Sequence, residues 1–270
     1  LNGNPQKQQT LRTVKTNQVL TVDVRNAHEP VQSVQPPKTL FTEVTDSLNV
    51  TYQHTEPEYI DFNTQKLLPH KLSQFAPAVS IGDVTGDGLD DMFIGGSRMN
   101  KGHFLIQTST GAYLATHLLP EAATPTPLVG GIAGAKDKAE EDMGTLLFDA
   151  DGDGDLDLYV VSGSIEGNAN STVFQDRLYI NDGKGGFTRD ATALPNCTVS
   201  KSCVKAIDFD RDGDLDLFVG GRVEPDHYPK PVSSFIFRND SKPGQPKFTD
   251  VTKTVAPALQ NLGLVCDALW

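Results

Sequence analysis

Asp149–Gly163 reads DADGDGDLDLYVVSG, and Asp208–Gly221 reads DFDRDGDLDLFVGG. Each stretch sets aspartates at alternate positions, turns at a glycine (Gly154 or Gly213), closes on another aspartate and runs into apolar sequence. Oxygen donors at alternate positions are the ligand pattern of calcium, a hard cation that accepts about six to eight oxygens. Leu156, Leu158 and Val160 in one stretch, and Leu215, Leu217 and Val219 in the other, alternate with period two. That period predicts a strand with an inward-facing row. A helix-flanked calcium loop would need twelve residues, a terminal glutamate and helices on both sides. Here the loop is expected to join two strands.

The spacing assigns ligands position by position. In the longer-named loop, Asp149, Asp151 and Asp153 offer side chains, Asp155 its carbonyl, and Asp157 closes the site. The last loop repeats this with Asp208, Asp210, Asp212, the Asp214 carbonyl and Asp216. A third copy lies upstream, Asp83–Asp91, reading DVTGDGLDD. It offers Asp83, Asp87 and Asp91, with Thr85 at the third position and the Leu89 carbonyl at the seventh. A threonine hydroxyl brings no charge, so the lowest affinity is expected there unless Asp90 or a nearby carbonyl compensates. Up to three calcium ions are expected.

The charge follows the loops. The 270 residues carry 35 acidic and 23 basic side chains and a net charge of -12, and 14 of the acids lie in the three windows. The rest of the chain is nearly neutral. Bare clusters of this kind repel, and a bound divalent cation reverses that local balance. The sign argues against nucleic acid or an anionic membrane as partner. No apolar run approaches the ~18 residues of a membrane-spanning helix.

A second element travels with the loops, whose starts are 66 and 59 residues apart. Arg177–Phe187 (RLYINDGKGGF), Phe235–Phe248 (FIFRNDSKPGQPKF) and, more loosely, His103–Tyr113 (HFLIQTSTGAY) each read as a hairpin. Phe41–Thr45, Phe187–Thr192 and Phe248–Thr252 look like one recurring outgoing strand. The unit is therefore strand, acidic loop, strand, longer connection and terminal hairpin. Four antiparallel strands in such a length suit a propeller blade, which makes the chain all-β. Blade windows fall at about 76–140, 142–195 and 202–255, and Leu262–Trp270 reads as the opening strand of another. Gly95-Gly96, Gly163 and Gly220-Gly221 would permit close backbone approach after the second strand. A β-sandwich or a solenoid of sheets is the competing architecture. Glu140–Met143 and Thr254–Leu259 support at most short helical turns.

Taken together, Gly82–Gly96 (GDVTGDGLDDMFIGG), Asp149–Gly163 and Asp208–Gly221 resemble FG-GAP or VCBS repeats, the calcium-bearing blades of integrin-alpha-like seven-bladed propellers. The resemblance covers roughly Phe41–Trp270 and implies structural calcium with no catalytic role. The second and third loops match the family pattern fully, and Thr85 departs from its usual Asp or Asn. The lead-in Gln53–Ser73 (QHTEPEYIDFNTQKLLPHKLS) is similar to cell-envelope proteins of Bacteroidetes that carry these repeats. Gln9–Ala27 (QTLRTVKTNQVLTVDVRNA) resembles the end of an ASPIC/UnbV domain. The resemblance thus implies a preceding β-domain tail over 1–29, a linker over 30–40 and a propeller segment over 41–270. Three prolines in Pro30–Pro37 support the linker independently. Seven such blades would need about 420 residues, and a propeller of three is not expected to close. The chain is expected to be a portion of a ring completed by the remainder of a parent chain.

Catalytic signatures are absent: there is no GxSxG, HExxH, phosphate loop or dinucleotide fingerprint. The six histidines show no paired ligand spacing. His54 and Glu56, near His70 and Lys71, are the polar groups best placed to line a face ahead of the first blade, with hydrogen bonding of an irregular lead-in as the plainer reading. The leading function is a non-catalytic protein- or glycan-binding scaffold. The alternative is part of a polysaccharide-degrading lyase or hydrolase, to be favoured by Arg, His and Tyr clustered with a carboxylate of raised pKa. The loops Gly163–Phe174 and Arg222–Val232, with Tyr228, are candidates for a recognition rim. Cys197 and Cys203 could form a disulfide or remain buried thiols, with Cys266 left over. Weak calcium modules suit millimolar extracellular calcium, so an extracytoplasmic location is expected (periplasm, outer membrane or cell surface).

Overall fold

A computed structural model describes residues 9, 11–27, 40–75, 77–118 and 138–270. The expected linker over Pro30–Pro37 lies outside them. The chain divides into two compact units, Leu1–Val44 and Thr45–Trp270.

In the first unit the described residues hold one 3-10 turn, Val24–Asn26, beside which Asp23 accepts from the backbone and guanidinium of Arg25. No strand forms there among the described residues, and Val19 is 95% exposed. The strand expected at Phe41–Thr45 is likewise absent.

The second unit holds twelve strands among its described residues, in three four-stranded antiparallel sheets, each a meander in chain order. The first is β1 (Val79–Gly82), β2 (Asp91–Ile94), β3 (His103–Gln107) and β4 (Tyr113–His117). The second is β5 (Asp142–Phe148), β6 (Asp157–Ser162), β7 (Arg177–Ile180) and β8 (Thr188–Asp190). The third is β9 (Ser200–Ile207), β10 (Asp216–Val223), β11 (Phe235–Asn239) and β12 (Phe248–Asp250). This all-β arrangement is that of propeller blades. Glu140–Met143 gives no helical turn, because Asp142 already pairs with Ser162 as the start of β5. Thr254–Leu259 does contain them: α2 (Thr252–Val255; α1 is described below) and a 3-10 turn, Pro257–Leu259.

The sheets pack face to face, which explains a difference from the predicted single inward row. Every residue of β6 is buried. Leu158 and Val160 pack with Phe93 and Phe104 of the first sheet. Tyr159 and Val161, pointing the opposite way, pack with Leu217, Val219 and Phe237 of the third. Strand alternation thus feeds two cores, since successive side chains leave opposite faces. The first strands of the sheets come together: Ser80 Oγ donates to Thr145 Oγ1 at 2.7 Å. At Gly163 a Cβ would fall 2.0 Å from Lys201 O, so only glycine permits this approach.

The outer faces have their own covers. Tyr113 N donates to Leu48 O, and the Tyr52 ring packs edge-on against His103. On the third sheet Val265 N donates to Gly221 O and Trp270 meets Phe218 edge-on. The expected opening strand at Leu262–Trp270 is therefore an extended cover with one isolated bridge, Val232 to Gly263. On β1, Val79 and Ile81 remain exposed.

The lead-in crosses the far ends of the sheets. The short helix α1 (Asp61–Thr64) buries Asp61, whose carboxylate accepts from Leu72 N, Ser73 N and Ser73 Oγ. Leu68 and Leu72 then pack with Ile165 and Val223, in the loops after β6 and at the end of β10. No helix among the described residues is long and apolar enough to cross a membrane.

Candidate metal centre

In a meander, the loop between strands one and two lies at the same end as the turn between strands three and four. The three acidic loops therefore share one end with the three hairpin turns, and the longer connections occupy the other.

Each loop is folded by its own carboxylates. The first-position aspartate gathers the turn. Asp149 Oδ1 accepts from Gly152 N at 2.7 Å and Oδ2 from Gly154 N at 3.1 Å. Asp208 accepts from Asp212 N and Gly213 N, both at 3.1 Å. Gly154 and Gly213 adopt φ of +96° and +106°, which L side chains rarely tolerate. The fifth-position aspartates, Asp87, Asp153 and Asp212, accept from the amides of Leu89, Asp155 and Asp214.

The ninth-position aspartates do something the spacing did not disclose. Asp91, Asp157 and Asp216 are fully buried, and each joins three segments. One oxygen accepts from the second loop residue: Val84, Ala150 or Phe209 N. The other accepts from the first residue beyond or at the end of the third strand: Gln107, Asn181 or Asn239 N. A carboxylate is an acceptor-only group, so this position staples the loop to the hairpin of its own sheet.

The asparagines extend the staple to the neighbouring sheet. Asn181 Nδ2 donates to Val84 O in the first loop at 2.9 Å and to Leu156 O in its own at 3.1 Å. Asn239 Nδ2 does the same with Ala150 O at 3.2 Å and Leu215 O at 3.3 Å. Sequence reading recognised these residues only as turn formers within LYIND and FIFRND. Their recurrence at the end of matching third strands, each followed by Asp, was the available signal.

Among the described residues two groups of carboxylates are close enough together that they could hold a metal ion. Asp149, Asp151 and Asp153 bring oxygens within 4.8 Å of one another, as do Asp208, Asp210 and Asp216. In the second loop, Asp151 Oδ1 and Asp155 Oδ1 are sheltered from solvent and receive no hydrogen bond. Burial, with Asp153 and Asp151 nearby, pushes Asp155 up to about 6. Burial likewise raises Asp151, and Asp157 to about 7. Two sheltered oxygens without donors beside three gathered carboxylates is a polar set that a divalent cation fits: it partners the oxygens and reverses the repulsion.

The first loop differs. Among the described residues its carboxylates form no such group. Asp83 is already engaged by Gly86, Asp87 and Gly88 amides and by Thr85 Oγ1 at 3.4 Å. Those amides, Gly88 foremost, hold Asp83 below the usual carboxylate range.

The opposite end gathers charge of another kind. Asp142 pairs with Lys138 at 2.8 Å and Arg177 at 2.6 Å. Burial alone would raise Asp142, and these two cations outweigh it and hold its pKa down. Beside it Glu141 is pushed up to about 8 by burial, which outweighs the hydrogen bond from Arg98 N. Glu56, Glu141 and Glu166 each keep one buried carboxylate oxygen without a donor. His54 bridges Tyr52 OH at 3.0 Å and Glu56 at 2.5 Å, whereas His70 lies against Phe75, 6.1 Å between centroids. His54 and Glu56 are thus brought together and His70 is not part of their hydrogen-bonded set.

The chain itself covers part of the expected rim, whereas Asn168, Asn170, Asp226, His227 and Lys230 are exposed. Tyr228 packs against the Leu68–Leu72 cluster and exchanges hydrogen bonds with Gln65 through its backbone. All three cysteines are free. Cys197 sits in the core between the second and third sheets, whereas Cys203 lies over Gly220, so the six-residue spacing does not bring the thiols into a bridge. Burial raises Cys197 to about 11, leaving it an inert thiol.

A comparison with curated proteins finds no match. Residues 148–219 match the family model described as FG-GAP-like repeat, a span running from the strand before the second acidic loop to the strand after the third.

Proposed function

We propose that this chain is a calcium-stabilised, extracytoplasmic β-propeller module serving as a non-catalytic scaffold for a protein or glycan. The supporting observation is the pair of donorless oxygens, Asp151 Oδ1 and Asp155 Oδ1, beside the gathered Asp149, Asp151 and Asp153. Calcium is the natural occupant of an oxygen-only, carboxylate-rich loop. In this reading Asp149, Asp151, Asp153, Asp155 and Asp157 form one site and Asp208, Asp210, Asp212, Asp214 and Asp216 another. Asp83, Thr85, Asp87, Leu89 and Asp91 form the weakest, because Thr85 brings no charge and these carboxylates are not gathered as those of the other two loops are.

Bound calcium fixes the loops against the hairpins and so sets the spacing of neighbouring sheets. Metal binding then contributes directly to folding stability. Calcium titration calorimetry tests this: at least two equivalents are expected, and chelator is expected to lower the melting temperature. Absence of both effects overturns the reading. The need for abundant calcium favours a location outside the cytoplasm.

One observation favours a second reading, an enzyme acting on polysaccharide. Glu141, raised to about 8, stands beside Arg98 with Glu56, His54 and Tyr52 close by. A carboxyl protonated at neutral pH can serve as a general acid. Turnover of acidic or neutral glycans that disappears in Glu141→Gln, with folding retained, would establish this reading over the scaffold.

A further inference from the structure

The first sheet carries a side-chain pair that the other two lack. His103 on β3 and His117 on β4 are direct cross-strand partners. Thr108 N donates to Ala112 O and Leu118 N to Gly102 O, so the even-numbered residues of β3 occupy the hydrogen-bonded pairs. His103 and His117 therefore form a non-hydrogen-bonded pair, the kind in which opposing side chains stand closest. Their ring centroids are 4.6 Å apart with planes at 51°. The positions matching His103 in the other sheets, each opposite the third residue past the ninth-position aspartate, are Arg177 and Phe235.

His103 is prepared as a ligand in three respects. Its Nδ1 is sheltered from solvent and has no hydrogen-bond partner. The Tyr52 ring packs edge-on at 5.2 Å, and the Tyr52 hydroxyl is itself held by His54, so the neighbourhood is fixed. Burial foremost, and then the adjacent His117, push the His103 pKa down against a backbone hydrogen bond to Lys101. His117 is exposed at the sheet surface and leaves the pair open to solvent. His54 Nε2 is bound to Glu56 Oε1 at 2.5 Å.

We propose that His103 and His117 form a two-histidine site for a transition-metal ion of the zinc, nickel or copper type, separate from the acidic loops. Imidazole nitrogens suit these ions, whereas calcium takes hard oxygen donors. Two protein ligands leave the remaining coordination positions to water or to a donor from a bound molecule. The site lies on the face of the first sheet that turns away from the second, beside the cover formed by Leu48 and Tyr52.

The experiment is a zinc titration by calorimetry on the protein held in saturating calcium. One zinc equivalent is expected, and His117→Ala, at an exposed position, is expected to weaken it at least tenfold. Melting temperature and calcium stoichiometry should stay unchanged in that variant. His103→Gln should give the same loss and serves as the second arm. An Asp151→Asn variant must retain the zinc equivalent. No zinc binding, unchanged affinity in His117→Ala, or loss of the zinc equivalent in Asp151→Asn overturns the proposal.

Discussion

Asn181 donates from Nδ2 to Val84 O at 2.9 Å, and through that bond the hairpin of the second sheet holds the acidic loop of the first. Its Oδ1 accepts from Asp182 N and Gly185 N, so one amide side chain orders its own turn and docks the neighbouring loop. Asn239 repeats the docking on Ala150 O. With the ninth-position aspartates, these asparagines form a relay: loop to hairpin within a sheet, hairpin to loop between sheets. The acidic loops are consequently not independent surface turns.

Asn181→Ala removes four hydrogen bonds at a site 5% exposed and leaves Val84 O and Leu156 O without that donor. A loss of ~2–4 kcal/mol is expected, since buried unpaired polar groups cost more than the bonds contribute on average. Urea unfolding of the variant measures it. A change within experimental error would show that the Asn181 bonds contribute nothing to holding the first and second sheets together.

Calcium and the relay should be coupled. Asp151→Asn retains the loop's shape, because Asp149, Asp153 and Asp157 hold its backbone amides, but removes charge from the ligand group. One calcium equivalent should be lost and the remaining chelator sensitivity should persist. Asp157→Asn should instead lower stability with or without calcium, because both oxygens of Asp157 are occupied by Ala150 N and Asn181 N. Equal behaviour of the two variants would contradict this difference between a residue that only ligates and one that also staples the loop to the hairpin.

Much of this was legible in the amino-acid order, and the reasons are physical. The period-two runs after each loop and the Asn-Asp-Gly turns dictate strands and hairpins locally, so the four-stranded unit could be read without tertiary information. What escaped was mainly between sheets. Leu158 belongs to the expected inward row and Tyr159 does not, yet both are buried, in different cores, because a sheet lies on each side. Phe41–Thr45 has the pattern of β8 and β12 and forms no strand, since pairing depends on a ladder that the pattern alone does not supply. The cysteine spacing was equally uninformative about which face each thiol occupies.

Lys201 tests how the second and third sheets are joined. Its side chain is 0% exposed, and Nζ donates to Phe174, Val199 and Cys197 carbonyls while lying 3.3 Å from Asp176. Burial raises Asp176, and Lys201 is the charge that opposes this. Lys201→Met leaves three carbonyls without this donor and removes the counter-charge of Asp176, which keeps only the Tyr159 OH and Ser162 N hydrogen bonds, at a cost of ~3–5 kcal/mol. Adding Asp176→Asn should recover part of the loss in thermal unfolding. A double variant as unstable as Lys201→Met would assign the effect to the carbonyls and not to the ion pair.

Glu141 sets an expected pH dependence. Its carboxyl is raised from 4.5 to about 8 in the folded protein, with burial as the main cause. Below pH 4.5 the folded and unfolded chains both carry the proton, and the group contributes no difference. As pH rises from there to about 8 the unfolded chain gives up its proton first, so folding loses stability over that window and the penalty is complete above it. The total is on the order of a few kcal/mol at most. Glu141→Gln should therefore melt higher than the wild type at pH 9 and nearly alike at pH 4.5. Differential scanning calorimetry at the two pH values decides it, and a difference of the same size at both would mean that the substitution acts through packing and not through the proton.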